Sequence, residues 1–321
     1  MQGAVAPEEQ LEWEARAARP AALAAIAAAL LVFAGAMVYP AAFVGAAPHT
    51  VGKTLMQVHD RQADLYVPAI LQALGYLLLP IPLIYLYRAT KARRDQLMQA
   101  ARWVAIGGPI LTAVAFVAHQ IAVGSAASDF AKSPGTLDLH ASALGLGGAA
   151  GPVLSSEVHA NKLITDAANT PVLASLQYAG GLALAFAFVL ISLNAMRAGL
   201  LSRFMGIMGI IVAVLTIVPA LGPLTPVISV FWVGALGVLL LDRWPGGRGP
   251  AWEAVEERPW PGGAERRQAM LREKGLLDDE PANEADDDDY EDDDEPGVIV
   301  SSSNGQQTHS RSKKRKRKRR R

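Results

Sequence analysis

The chain has 321 residues, equal numbers of acidic and basic side chains and a positive mean hydropathy, although 19% of its residues are charged. Such a mixture implies that charge and apolar sequence are segregated. There is no cysteine, which excludes disulfides, thiolate nucleophiles, iron–sulfur clusters and cysteine-based zinc sites; any metal would need histidine or carboxylate ligands.

Residues 1–20 read as a short cytoplasmic segment carrying Glu8, Glu9, Glu12 and Glu14. A bilayer core about 30 Å thick needs about 20 apolar residues per helix. Uncharged runs of that length are found at 21–47, 65–87, 103–127 and 172–196, and a still longer one covers 204–241. That last run would extend roughly 57 Å as a single helix, so it must reverse. Leu221-Gly222-Pro223-Leu224-Thr225-Pro226 is the expected hairpin, giving spans at 204–221 and 224–241. The fold expected is therefore all-α, a polytopic bundle of six transmembrane helices over 21–241. Pro40, Pro80, Pro82, Pro109 and Pro219 should bend or shorten the helices that contain them. The acidic lead-in and long apolar stretch of the first span argue against a cleaved signal peptide.

Lysines and arginines concentrate in three segments on one side: Arg16 and Arg19; Arg88, Lys91, Arg93, Arg94 and Arg102; and Arg197 and Arg203. This bias predicts a multi-pass protein of the cell membrane with both termini cytoplasmic. The intervening segments Pro48–Asp64 and Ser128–Pro171 read as outer loops, with Leu139–Leu154 either a loop or a re-entrant dip. Clustered alanine and glycine predict close helix packing and leave the oligomeric state open.

The spans contain no Asp, Glu, Lys or Arg, which argues against an ion or proton pump. Their one histidine, His119, lies about 24 Å along the third helix from Trp103. A neutral imidazole there is expected to hydrogen-bond a neighbouring helix. His49, His59, Asp60, Asp64, His140, Glu157 and His159 fall on the predicted outer side, and they form the weak candidate set for a divalent metal or an outward-facing catalytic site. Their spacing matches no zinc-binding or hydrolase pattern. No cofactor and no catalytic residue is assigned.

Residues 242–277 read as a juxtamembrane segment in which Trp244-Pro245-Gly246-Gly247 is echoed by Trp260-Pro261-Gly262-Gly263, with tryptophans against the membrane and one short helix at 264–277. From 278 to 321 the composition predicts disorder. Thirteen acids and no base lie between Asp278 and Glu295, and the chain ends in Lys313, Lys314, Arg315, Lys316, Arg317, Lys318, Arg319, Arg320 and Arg321. That basic run suits anionic lipid headgroups, at about 1 kcal/mol per basic side chain, or the acidic block itself. Nucleic acid is the less favoured partner, because no aromatic side chain interrupts the run.

The turn Arg197-Ala198-Gly199-Leu200-Leu201-Ser202-Arg203-Phe204-Met205-Gly206-Ile207-Met208-Gly209, with four spans before it and two after, resembles uncharacterised six-helix bacterial membrane proteins. The resemblance implies the six-helix layout over about 20–241 and brings no activity or site. Three functions stay open: a non-enzymatic membrane protein using its charged tail for surface or partner contact, a small-molecule or metal transporter, and an enzyme with an outward-facing histidine and carboxylate site.

Overall fold

The computed structural model describes residues 6–44, 51–133, 151–168, 170–217, 224–245 and 247–260, with 267, 268 and 270–272. Every regular element among them is helical. The helices are α1 (Pro7–Val44), α2 (Val51–Asp60), α3 (Gln62–Leu78), α4 (Pro80–Arg93), α5 (Ala100–Lys132), α6 (Gly151–Ala168), α7 (Pro171–Ala198), α8 (Arg203–Ile217) and α9 (Leu224–Leu240). Contacts divide the chain into Met1–Gly262, which contains all nine, and Gly263–Arg321.

Four stretches are long and apolar enough to cross a bilayer: Pro7–Val38, Gln62–Arg93, Ala100–Lys132 and Pro171–Ala198. The protein is accordingly a membrane protein. Large apolar side chains such as Leu23, Leu30, Ile70, Val114, Phe186 and Phe231 are exposed along these helices and along α9, where a bilayer replaces water as their solvent. Helices α8 and α9, of 15 and 17 residues, lie side by side as shorter apolar helices.

Local sequence explains the ends and breaks. Pro7 opens α1 and Glu8 and Glu9 occupy its first turn, where carboxylates favour the positive end of the helix dipole. The helix therefore begins well before the apolar run at 21. Pro80 has no N–H, so the hydrogen-bond ladder is interrupted there, and the Leu79 N–H turns back to the Tyr76 carbonyl at 3.1 Å; α3 and α4 are the two halves of one span. Thr170 caps α7 through its hydroxyl, which accepts the Leu173 N–H at 3.4 Å. Gly199 ends α7 with φ of 85°, a left-handed conformation that glycine adopts without steric cost, and the Ser202 hydroxyl then accepts the Met205 N–H at 3.3 Å to start α8. The Arg197–Gly209 turn thus carries the residues that a tight helix-to-helix reversal requires.

Helix α1 packs against α3 and α9, and α5 against α3 and α7, which in turn meets α8. At the α5–α7 crossing Gly108 and Gly180 bring the backbones together. A Cβ built on Gly108 would stand 2.6 Å from the Leu184 nitrogen, and one on Gly180 would stand 2.9 Å from the Thr112 nitrogen. The main core runs through this bundle, with Trp232, Phe188, Leu83, Leu86 and Ile191 fully buried.

Two regions read as loops are in fact partly helical. Within Pro48–Asp64, α2 turns Leu55 and Val58 inward, and within Ser128–Pro171, α6 places Ala160 against the same small cluster around Phe130. Most of Leu139–Leu154 lies outside the described residues. So does the whole charged tail at 278–321. Within 264–277, residues 267, 268 and 270–272 are helical.

Candidate functional site

The half of the bundle away from the chain's arginine-rich end holds a half-open cavity of about 360 Å³ bounded by α1, α3, α5, α7, α8 and α9. Its walls follow helical spacing. Helix α3 presents Gln72, Tyr76 and Leu79, α5 presents Thr112, Phe116 and His119, and α7 presents Gln177, Gly181, Leu184 and Phe188. Small residues on α1 and α7, Ala28, Ala29 and Gly181, leave the space that larger side chains would fill. Leu79, Leu184 and Phe188 are buried and form the floor. Beneath it Phe188 meets Trp232 edge-on at 5.2 Å, and the Trp232 indole donates to the Met205 carbonyl at 2.8 Å.

Among the described residues the lining contains no charged group apart from the titratable imidazole. His119 Nδ1 lies 3.1 Å from the Gln177 side-chain nitrogen, so the imidazole does meet a neighbouring helix, and with this amide orientation Nδ1 is the acceptor. The Thr112 and Thr216 hydroxyls donate to carbonyls of their own helices, those of Gly108 and Val212, both at 2.8 Å. The Gln72 carboxamide and the Tyr76 hydroxyl have no hydrogen-bond partner among the described residues. Both are half-buried in the wall, one helical turn apart on the same face of α3. Both polar groups border the cavity and are available to hydrogen-bond whatever occupies it. A volume above about 300 Å³, apolar walls and a few convergent polar groups are the usual features of a small-molecule site.

The candidate metal residues are arranged differently. Glu157 on α6 caps α2, its carboxylate accepting the Val51 and Gly52 N–H groups at 2.7 and 3.0 Å. His159, two residues on, packs its ring against Phe130 at 6.1 Å. His59 and Asp60 end α2, and Asp64 lies in the first turn of α3. Among the described residues no three His, Asp or Glu side chains form a group able to hold a metal ion. His49 and His140 lie outside the described residues.

Sequence reasoning missed Gln72, Tyr76 and Gln177 because it searched the spans for charge. Neutral polar residues within apolar helices, such as Gln72 and Tyr76 at i and i+4 and Thr112 and His119 at i and i+7, were the available signal.

The arginine-rich end is closed by a second polar cluster. Arg93 at the end of α4 makes a bidentate ion pair with Glu14 of α1, at 2.6 and 2.9 Å, and its Nε donates to the Ala251 carbonyl at 2.7 Å. The Gln10 amide also donates to Glu14, and the Tyr85 hydroxyl donates to the Glu14 backbone carbonyl. Trp252, in the 3-10 turn Pro250–Glu253, covers the pair and donates through its indole to the Leu200 carbonyl at 2.9 Å. Trp252 is buried within the protein.

No family model, curated protein or solved structure matches the chain.

Proposed function

We propose that the chain is a six-span protein of the cell membrane, with its arginine-rich end and both termini at the cytoplasmic face, that receives a small neutral molecule in the cavity on the opposite half. The six-span reading adds α8 and α9 to the four long helices. The orientation rests on the lysine and arginine bias. The observation that carries the function is the uncharged cavity of about 360 Å³ with Gln72 and Tyr76 unpartnered in its wall. A charged ligand would lose its hydration there and gain no counter-ion, at a cost of several kcal/mol. A molecule with an apolar body and one or two carbonyl or hydroxyl groups meets the lining on both counts. Hydrogen bonding and shape are the chemistry on offer, so the site reads as that of a receptor or carrier rather than an enzyme. The basic tail at 313–321 supplies a separate contact for anionic surfaces.

Gly181 allows a direct test. A Cβ at this position meets only the Thr216 carbonyl oxygen, at 3.9 Å, so Gly181→Phe fills the cavity without a backbone clash at its root. Organic extracts of purified wild-type protein, compared by mass spectrometry with extracts of Gly181→Phe, are expected to contain a neutral small molecule at near-stoichiometric level that the variant lacks. Identical extracts would sink the proposal.

A further inference from the structure

Arg88 differs from the cations around it. Arg93 is consumed by Glu14 and two carbonyls, Arg94 bonds Asn194, Gln96 and Glu257, and Lys91 pairs with Asp95. The Arg88 guanidinium lies 3.9 Å from the centroid of the Trp13 ring, is exposed, and donates no hydrogen bond to any described residue. Stacking on the indole fixes its plane and leaves the N–H edges available, an arrangement suited to an anion held by two parallel hydrogen bonds.

Below it lies a groove of about 370 Å³ between α1 and α4, walled by Trp13, Ala17, Ala21, Pro80, Ile84 and Arg88. The small residues Ala17 and Ala21 of α1 leave this surface concave. The groove has a polar and an apolar end. Ile81, also in its wall, precedes Arg88 by seven residues, roughly 10 Å along the helix, and is exposed with Leu23 on the lipid-facing surface. One molecule that spans both ends needs an anionic head and an apolar tail. Glu9 and Glu12 share this stretch of α1, but neither forms an ion pair with Arg88, and Arg16 and Arg19 add positive charge on adjacent turns.

We infer that the groove between α1 and α4 is a binding site for an anionic phospholipid of the leaflet at the arginine-rich end, with its phosphate on Arg88 and an acyl chain along Ala17, Ala21 and Ile84. The inference is independent of the cavity on the other half.

The test uses full-length protein equilibrated with equimolar phosphatidylglycerol and phosphatidylcholine of matched chains and washed in 0.5 M salt, where a Debye length of roughly 4 Å weakens attraction to the basic run at 313–321. Retained lipid is counted by mass spectrometry. Wild type is expected to favour phosphatidylglycerol by roughly tenfold, the range of a hydrogen-bonded charge pair. Arg88→Gln should abolish that preference, Arg88→Lys should keep part of it, and Ala17→Phe should lower retention of both lipids. Arg102→Gln is the matched control, since Arg102 also lies over a tryptophan, Trp103, at 5.9 Å, but does not line the groove; it should behave as wild type. An unchanged preference in Arg88→Gln, an equal loss in Arg102→Gln, or full retention in Ala17→Phe would overturn the inference. So would displacement of the lipid by glycerol phosphate at the same concentration, which would make the site one for a free phosphate ester.

Discussion

Glu14 and Arg93 show what a buried pair demands of its surroundings. Their side chains are 4% and 0% exposed, and both carboxylate oxygens and all three guanidinium nitrogens are engaged. Removing one partner leaves the other charge buried without compensation, so Arg93→Ala is expected to cost about 3–5 kcal/mol, read as a large fall in the thermal midpoint of the detergent-solubilised protein. The double change Glu14→Leu with Arg93→Met should recover most of that loss, because the desolvation penalty disappears along with the attraction. The two residues were individually legible as charges flanking apolar runs. Their pairing was not, since they lie 79 positions apart and no local periodicity links them. His119 was more legible. A lone imidazole in an uncharged span needs a neighbour, but only the packing of α5 on α7 makes that neighbour Gln177.

At the scale of elements the adjacent glycines of α7 separate packing from function. Gly180 faces the α5 backbone and Gly181 faces the cavity. Gly180→Ala forces the two helices apart and should destabilise the protein by about 1–3 kcal/mol, the usual range for overpacking. Gly181→Ala should leave the thermal midpoint close to wild type. If both variants unfold alike, the assignment of the two faces is wrong. The glycine and alanine content announced close helix packing, yet adjacent glycines give no sign of which one meets a backbone. The short helices α2 and α6 read as loops in sequence because they are too polar and too short to cross a bilayer. Their stability comes instead from the Phe130 cluster and from the Glu157 cap, whose donors lie about a hundred residues away.

The whole molecule has two unlike ends. One is sealed by Arg93, Glu14 and Trp252, and the other holds an uncharged cavity. The arginines that set the lysine and arginine bias include Arg93 of the sealed end, and the uncharged spans supply the cavity walls. Because the chain lacks cysteine, single substitutions probe the orientation cleanly. Ser142→Cys should react with a membrane-impermeant reagent applied from outside intact cells, and Ser202→Cys should not; the opposite pattern would invert the proposed topology.

Ser229 on α9 lines the cavity, and its replacement by cysteine is nearly isosteric. The rate at which Ser229→Cys reacts with a small neutral methanethiosulfonate, compared with its sulfonate-bearing analogue, tests directly whether this space admits small neutral molecules. The neutral reagent is expected to modify the thiol at least about tenfold faster, relative to each reagent's rate with a free thiol, because the lining offers the sulfonate no counter-charge. Gly181→Phe in the same background should block the reaction. A thiol that ignores the neutral reagent, or that reacts equally well with the charged one, would contradict the account of a neutral small-molecule site.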